Sequence, residues 1–281
     1  MNNGNELVSV YIPTHNRVDM LERAIMSVLK QSYPNIEIIV SDDGSQDNTK
    51  KIVTSYMQQY SNIKYVFSSE AKGACHARNL AIAKASGTYI TGLDDDDEFT
   101  QDRIEELVNF WKENPNFSFL CTAMQVITKN GKFIKFDKRR KISLNDCLNE
   151  NIIGNQVFTK TSTLKSIKGF DPEMPSLQDY ECWIRLCSNF GDGYSLGSPT
   201  YILHTEHEKP RITNNDKLRI SVSRLMNKHS NIMSVANKKN LDFIFYYYIN
   251  KNVTFNCLLR NLTKLNLYRY FKFKLKAILI K

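Results

Sequence analysis

The chain has 281 residues, 42% of them hydrophobic and 24% charged, with a formal charge of +9. That length can bury a substantial core and hold one large domain, or one domain with an appendage. No run of about 18 apolar residues occurs, so no transmembrane helix is predicted, and Met1-Asn2-Asn3-Gly4-Asn5-Glu6 shows no basic and then apolar leader, which makes the cytoplasm the default location.

Leu7 to Ile12 reads as a short buried strand, followed by the turn Pro13-Thr14-His15-Asn16. Apolar residues at Met20, Leu21, Ala24, Ile25, Val28 and Leu29 have helical period over 19–31, and Pro34 closes that element. Ile36 to Ser41 is a second strand running into Asp42-Asp43-Gly44-Ser45. Asp47 or Asn48 can cap a helix over 49–60. A third strand over 63–67, an alanine-rich helix over 74–85 and a fourth strand over 88–93 complete the alternation. Strands alternating with helices of about 12 residues imply βαβ units, hence an α/β fold with a mostly parallel sheet flanked by helices.

Beyond a helix over 102–113 the alternation weakens. Segments 117–128 and 132–136 read as strands around the hairpin turn Asn130-Gly131. Gly169-Phe170-Asp171-Pro172 is another turn, 178–189 a helix, 200–203 a strand, and the chain after about 215 reads as helices. The organisation expected is therefore a domain over 1–215, with halves 1–115 and 116–215, and a basic helical region over 216–281. From Lys251 to Lys281 there are eight Lys or Arg and no Asp or Glu. Such a tail suits an anionic membrane surface or an ordinary solvated appendage; nucleic acid is not the expected partner. Six cysteines form no CxxC pair and read as reduced, mostly buried thiols.

The chemistry concentrates at strand ends. Ligands of open parallel sheets bind beyond the carboxyl ends of the strands, and three polar clusters fall there: Pro13-Thr14-His15-Asn16-Arg17, Asp42-Asp43-Gly44-Ser45 and Asp94-Asp95-Asp96-Asp97. Four successive carboxylates at the end of a buried strand repel one another and raise one another's pKa. A hard divalent cation, Mg²⁺ or Mn²⁺, relieves that repulsion and can share substrate phosphates. A solvated acidic loop is the plain alternative. Neither GxGxxG after the first strand nor GxxxxGK[ST] is present, so neither a dinucleotide site nor a P-loop is supported.

The residues Val8-Ser9-Val10-Tyr11-Ile12-Pro13-Thr14-His15-Asn16-Arg17, Glu37-Ile38-Ile39-Val40-Ser41-Asp42-Asp43-Gly44-Ser45, Gly73, Ala77-Arg78-Asn79 and Leu93-Asp94-Asp95-Asp96-Asp97 resemble, in order and spacing, the inverting GT-A glycosyltransferases of family 2. The match covers roughly residues 7–115, with a weaker echo at Gly169-Phe170-Asp171 and Gln178 to Leu186. The resemblance implies a GT-A fold, a UDP-sugar donor, Mn²⁺ or Mg²⁺, inversion at the anomeric carbon, and a saccharide or lipid-linked acceptor used in bacterial surface polysaccharide assembly. By position, Pro13 and Thr14 line the nucleotide pocket and Asp42 meets the base, with Asn16, Arg17, Asp43 and Asp95 in the same pocket. Asp94 lies near ribose or sugar, Asp96 on the metal, and Asp179 stands where the family places its catalytic base. The usual Glu-Asp pair reads Gln178-Asp179 here.

Arg78 can contact phosphate, or be a surface arginine in an ion pair. His204 or His207 can complete the metal sphere, or be an ordinary loop histidine. Tyr180 and Trp183 can stack on an acceptor sugar, although helical spacing favours core packing for Trp183. The rival function is a metal-dependent nucleotidyltransferase acting on sugar phosphates, which would release pyrophosphate where a glycosyltransferase releases a nucleoside diphosphate.

Overall fold

The computed structural model describes residues 6–206 and 215–279. Residues 1–5 and His207 lie outside the described residues. The amino-terminal half alternates β1 (Val8–Thr14), α1 (Val18–Leu29), β2 (Ile36–Asp42), α2 (Thr49–Gln59), β3 (Ile63–Phe67), α3 (Ala74–Lys84) and β4 (Tyr89–Gly92). β5 (Glu98–Phe99) and α4 (Arg103–Glu113) follow. The second half holds β6 (Leu120–Cys121), β7 (Met124–Thr128), β8 (Gly131–Lys135), β9 (Arg140–Ile142), α5 (Leu144–Cys147), β10 (Phe158–Lys160), α6 (Thr161–Ser166), α7 (Gln178–Phe190), β11 (Gly193–Ser195) and β12 (Tyr201–His204). Among the described residues, four helices follow: α8 (Asn215–Lys228), α9 (Val235–Asn250), α10 (Phe255–Arg260) and α11 (Lys264–Leu279).

An eight-stranded sheet runs β3-β2-β1-β4-β10-β6-β11-β9, and a four-stranded one runs β5-β12-β7-β8. β1, β2, β3 and β4 are mutually parallel, as their helical crossovers require, and β10 enters antiparallel beside β4. Both faces of the large sheet are covered. Val8, Val10 and Ile12 of β1 pack with α1 and α4, while Tyr11 points the other way to a core containing α3, α7, α8 and α9. Period-two side-chain alternation thus serves two cores from one strand.

β1 is a central strand, yet it contains Pro13. Tyr11 O accepts from Leu93 N, so the odd residues of β1 face β4, and the β1–β4 register ends at Tyr11 and Gly92. The N–H that proline lacks therefore falls where β4 has already ended, and no ladder bond is lost.

The expected strand over 117–128 is two strands in different sheets, β6 and β7, and the turn at Asn130-Gly131 joins β7 to β8 as an antiparallel hairpin. Trp183 is fully buried and donates Nε1–H to Gly154 O at 3.1 Å. Tyr180 is equally buried, with its hydroxyl on Cys147 O, which corrects the idea that it could stack on an acceptor. All six cysteines are free and buried. Among the described residues, no helix is long and apolar enough to cross a membrane.

Candidate active site

A cavity of about 510 Å³ opens at the carboxyl ends of β1, β2 and β4. Its lining includes Pro13, Thr14 and Arg17 after β1, Asp43 after β2, and Asp94, Asp95 and Asp96 after β4. The amino-terminal turn of α3, from Gly73 to Arg78, forms another wall, and Pro172, Met174, Pro175 and Gln178 close the far side. Three strand ends remote in sequence meet there because parallel pairing aligns their carboxyl termini.

The carboxylates are held in distinct ways. Asp94 Oδ1 accepts from Arg78 Nη2 at 3.0 Å and Gln156 Nε2 at 3.1 Å, and its Oδ2 accepts from Asn155 Nδ2 at 2.8 Å. Asp95 accepts from Thr14 Oγ1 at 2.8 Å and from Arg17 Nη1 at 3.1 Å. Burial pushes its carboxyl up to about 7, with Arg17 opposing that rise and Asp96 adding to it. Asp96 Oδ2 accepts from the same Arg17 nitrogen at 3.0 Å. Asp97 points away from the cavity, accepting from Tyr201 Oη at 2.7 Å and His204 N at 2.9 Å. Burial, then Asp94 and Asp96, raises its pKa well above the ordinary carboxylate range.

Asp179 sits in the first turn of α7, next to Gln178, and does not itself line the cavity; Arg78 links it to Asp94. Its Oδ1 is covered, accepts no hydrogen bond among the described residues, and lies 3.6 Å from Arg78 Nη1. Burial pushes its carboxyl up to about 7; Arg78 works against that rise and Asp94 reinforces it. Arg78 thus spans the cavity wall, one arm on Asp94 and the other beside Asp179 and on Gln178 Oε1 at 3.3 Å. Its side chain is only 8% exposed, and its carbon lies 5.2 Å from the Phe170 ring centroid. Although burial disfavours its charge, Asp179 and Asp94 more than offset that and raise its pKa. A surface arginine is therefore the wrong description. Gln178 stands where a glutamate is usual, and its amide also donates to Met174 O at 3.1 Å.

Other expected residues are placed differently. Asp42 is buried but does not line the cavity; its oxygens accept from Tyr65 Oη at 2.5 Å and Ser45 N at 2.8 Å. Asp43 lines it, with its carboxylate on Lys72 N at 2.9 Å and Gly73 N at 2.7 Å, tying β2 to the loop before α3. Asn16 takes a left-handed turn, φ 53°, accepts from Gln46 N at 2.7 Å, and shapes the loop without lining the cavity. His204 does not reach the cavity either. Its ring nitrogens lie 2.7 Å from Glu98 and 2.5 Å from Glu206, so metal ligation would require breaking one of those contacts. Asn155 and Gln156, which fix Asp94, were not anticipated; two amides just ahead of the apolar start of β10 were the available signal. Gly92 allows their approach, because a Cβ there would collide with Gln156 Oε1 and the Tyr11 ring.

The donor set suits a hard divalent cation: Asp94 and Asp96 offer carboxylate oxygens at the cavity wall, in a cluster whose acids outnumber Arg17 and Arg78. Among the described residues no three His, Cys, Asp or Glu side chains form a ready cage.

Residues 9–168 match the profile described as Glycosyl transferase family 2. The chain is 34% identical over 268 residues to "Putative colanic acid biosynthesis glycosyl transferase WcaA" of Escherichia coli K12, covering 93% of this chain and 95% of that protein. It is also 34% identical over 180 residues to the Escherichia coli "UDP-Glc:alpha-D-GlcNAc-diphosphoundecaprenol beta-1,3-glucosyltransferase WfgD", covering 64% of this chain and 69% of the relative. In fold it is similar to S. aureus TarS 1–349, with a TM-score of 0.68 at 22% identity over 86% of this chain and 73% of that one. The fold is thus of the GT-A type, and the chain belongs to glycosyl transferase family 2, whose chemistry is glycosyl transfer.

Proposed function

We propose that this glycosyltransferase moves one sugar from a UDP-sugar to a saccharide on a lipid carrier, with inversion, at the inner face of the cytoplasmic membrane during surface polysaccharide assembly. The donor and carrier class follow the WfgD relative, and the setting follows WcaA. One observation carries the reading: the Asp179 oxygen without a hydrogen bond faces Arg78, which lines the cavity and also holds Asp94, so one guanidinium links the base to the donor-side acid.

Asp179 takes the proton from an acceptor hydroxyl, the freed oxygen attacks the anomeric carbon, and the bond from that carbon to the diphosphate breaks, with UDP leaving on the electron pair. A carboxyl with pKa about 7 is half ionised near neutrality, which suits a general base. Arg78 keeps Asp179 and Asp94 apart in charge and fixed in direction. Thr14 and Arg17 hold Asp95, and Arg17 also holds Asp96. Mn²⁺ or Mg²⁺ would be held by Asp96 with Asp94, and when bound it supplies Lewis-acid stabilisation of charge on the departing diphosphate.

The test is a panel of UDP-sugars with Mn²⁺ and a lipid-linked acceptor extract, reading the nucleotide product. Release of UDP is expected, with Asp179→Asn and Asp96→Ala each reducing it by roughly a hundredfold or more while circular dichroism stays native. Release of pyrophosphate would make the protein a nucleotidyltransferase, and full turnover by Asp179→Asn would remove it as the base.

A further inference from the structure

Helix α11 presents its polarity the wrong way round for a soluble protein. At about 100° per residue, Leu267, Phe271, Leu275 and Tyr268 fall within a single arc of roughly 100°. That arc faces outward: these four side chains are 43%, 58%, 61% and 64% exposed. The opposite face carries the polar contacts. Asn266 donates to Lys239 O at 3.1 Å, and Arg269 reaches Glu150 at 2.8 Å and Asn240 O at 3.2 Å. Phe273 stacks on Tyr247 with centroids 3.8 Å apart. The helix is therefore fixed in rotation, and its apolar stripe is left in water. A helix on a globular domain normally buries that stripe. The adjoining α10 repeats the feature with Phe255 and Leu259, one turn apart and more than half exposed. Exposed apolar residues aligned along a helix in this way mark an interaction face.

The charge pattern selects the occupant. After Asp242 the chain contains no acidic residue, and the exposed Lys264 and Lys272 flank the stripe on α11. A second copy of this chain would bring the same cations against the same cations, which an isologous interface disfavours. An anionic lipid surface satisfies both features, because acyl boundary takes the leucine and aromatic side chains while phosphate headgroups take the lysines. Among the described residues no helix can span a bilayer, so the contact is made from one side.

We propose that the outward face of α10 and α11 seats on the headgroup layer of an anionic membrane, with Leu267, Phe271 and Leu275 inserted and Lys264 and Lys272 on phosphates. This deepens the membrane-side acceptor proposed above, but vesicle binding requires neither donor nor acceptor, so either reading can fail alone.

The experiment is co-sedimentation of the full chain with vesicles of phosphatidylcholine containing about one-third phosphatidylglycerol, against pure phosphatidylcholine, at low and high salt. Expected are retention on the anionic vesicles, release at high salt, and a roughly ten-fold weaker partition for Leu267→Ser/Phe271→Ser/Leu275→Ser and for Lys264→Ser/Lys272→Ser. These exposed positions lie outside the catalytic cavity, so UDP release with a water-soluble acceptor should stay native. Undiminished retention of the triple serine variant overturns the proposal, as does equal retention on both lipids. A native chain that ignores vesicles yet forms dimers, lost in the triple variant, assigns the face to a second copy instead.

Discussion

Replacing Arg78 with methionine removes one buried charge while keeping an unbranched side chain against Phe170. Two charges 3.6 Å apart, the Arg78–Asp179 separation, interact by about 4.6 kcal/mol at an effective dielectric of about 20. Asp179 keeps 23% of its side chain in solvent, so screening reduces the effective coupling to about 1.5 kcal/mol, close to one pKa unit. The Asp179 carboxyl, already raised to about 7 by burial, should then titrate near about 8. The base must be ionised to act, so kcat/KM rises with pH through that pKa. Its acid limb should move from about pH 7 in the native chain to about 8 in Arg78→Met. Stability carries the same signature without needing turnover. Because the raised pKa means the folded protein binds this proton more tightly than the unfolded one, Asp179 contributes fully below about pH 4. That contribution is lost as pH rises through the folded value, at about 7 in the native chain and about 8 in the variant. The assays are kcat/KM from pH 5.5 to 9 by UDP release, roughly spanning both limbs, and denaturant midpoints over the same range. Coincident acid limbs and coincident midpoint profiles for the two proteins would show that Arg78 does not govern the base.

Glu181→Gln should lower the denaturation midpoint by the equivalent of about 3 kcal/mol. This fully buried carboxylate faces Arg185 at 2.8 Å, Lys228 at 2.8 Å and the His229 ring at 3.2 Å, and the variant leaves the Arg185 and Lys228 charges short of a partner. Gly92→Ala drives a Cβ into Gln156 and Tyr11; expected are a loss of about 2 kcal/mol in urea unfolding and a raised KM for the donor, since Gln156 no longer holds Asp94. Saturating chelator should abolish UDP release in the native chain and be reversed by Mn²⁺, whereas Asp96→Ala should show no such rescue.

The βαβ half was legible because two periods coincide there: apolar strands ending in polar turns, and helices with an apolar stripe. Ile63–Phe67 appeared as read, the bounds of the other elements read there moved by at most two residues, and the two-residue β5 was not read. The stretch after residue 115 was less legible because strands of two or three residues, such as β6 and β11, are too short for alternation to show. What makes them strands is pairing with partners far along the chain. At the site, the acids were visible as acids, but their partners were not. Nothing in the spacing distinguishes Asp42, turned onto Tyr65, from Asp43, which lines the cavity, because the choice depends on where β3 places a hydroxyl. His204 looked free for a metal only because Glu98, 106 positions earlier, could not be seen beside it.

The change in composition near residue 215 does not coincide with a break in the core. Leu218, Val222 and Leu225 of α8 and Leu241, Ile244 and Phe245 of α9 belong to the same apolar cluster as Tyr180, Trp183 and Leu186 of α7. Lys228 and His229, at the end of α8, reach Glu181, two residues beyond Asp179. Helix α7, which carries Asp179, is thus braced by α8 and α9. α10 and α11 differ in kind: α11 is anchored through Arg269 to Glu150 and through Phe273 to Tyr247, and the pair keeps an apolar face outward. One half of the basic region therefore packs against α7, and the other keeps an apolar face outward.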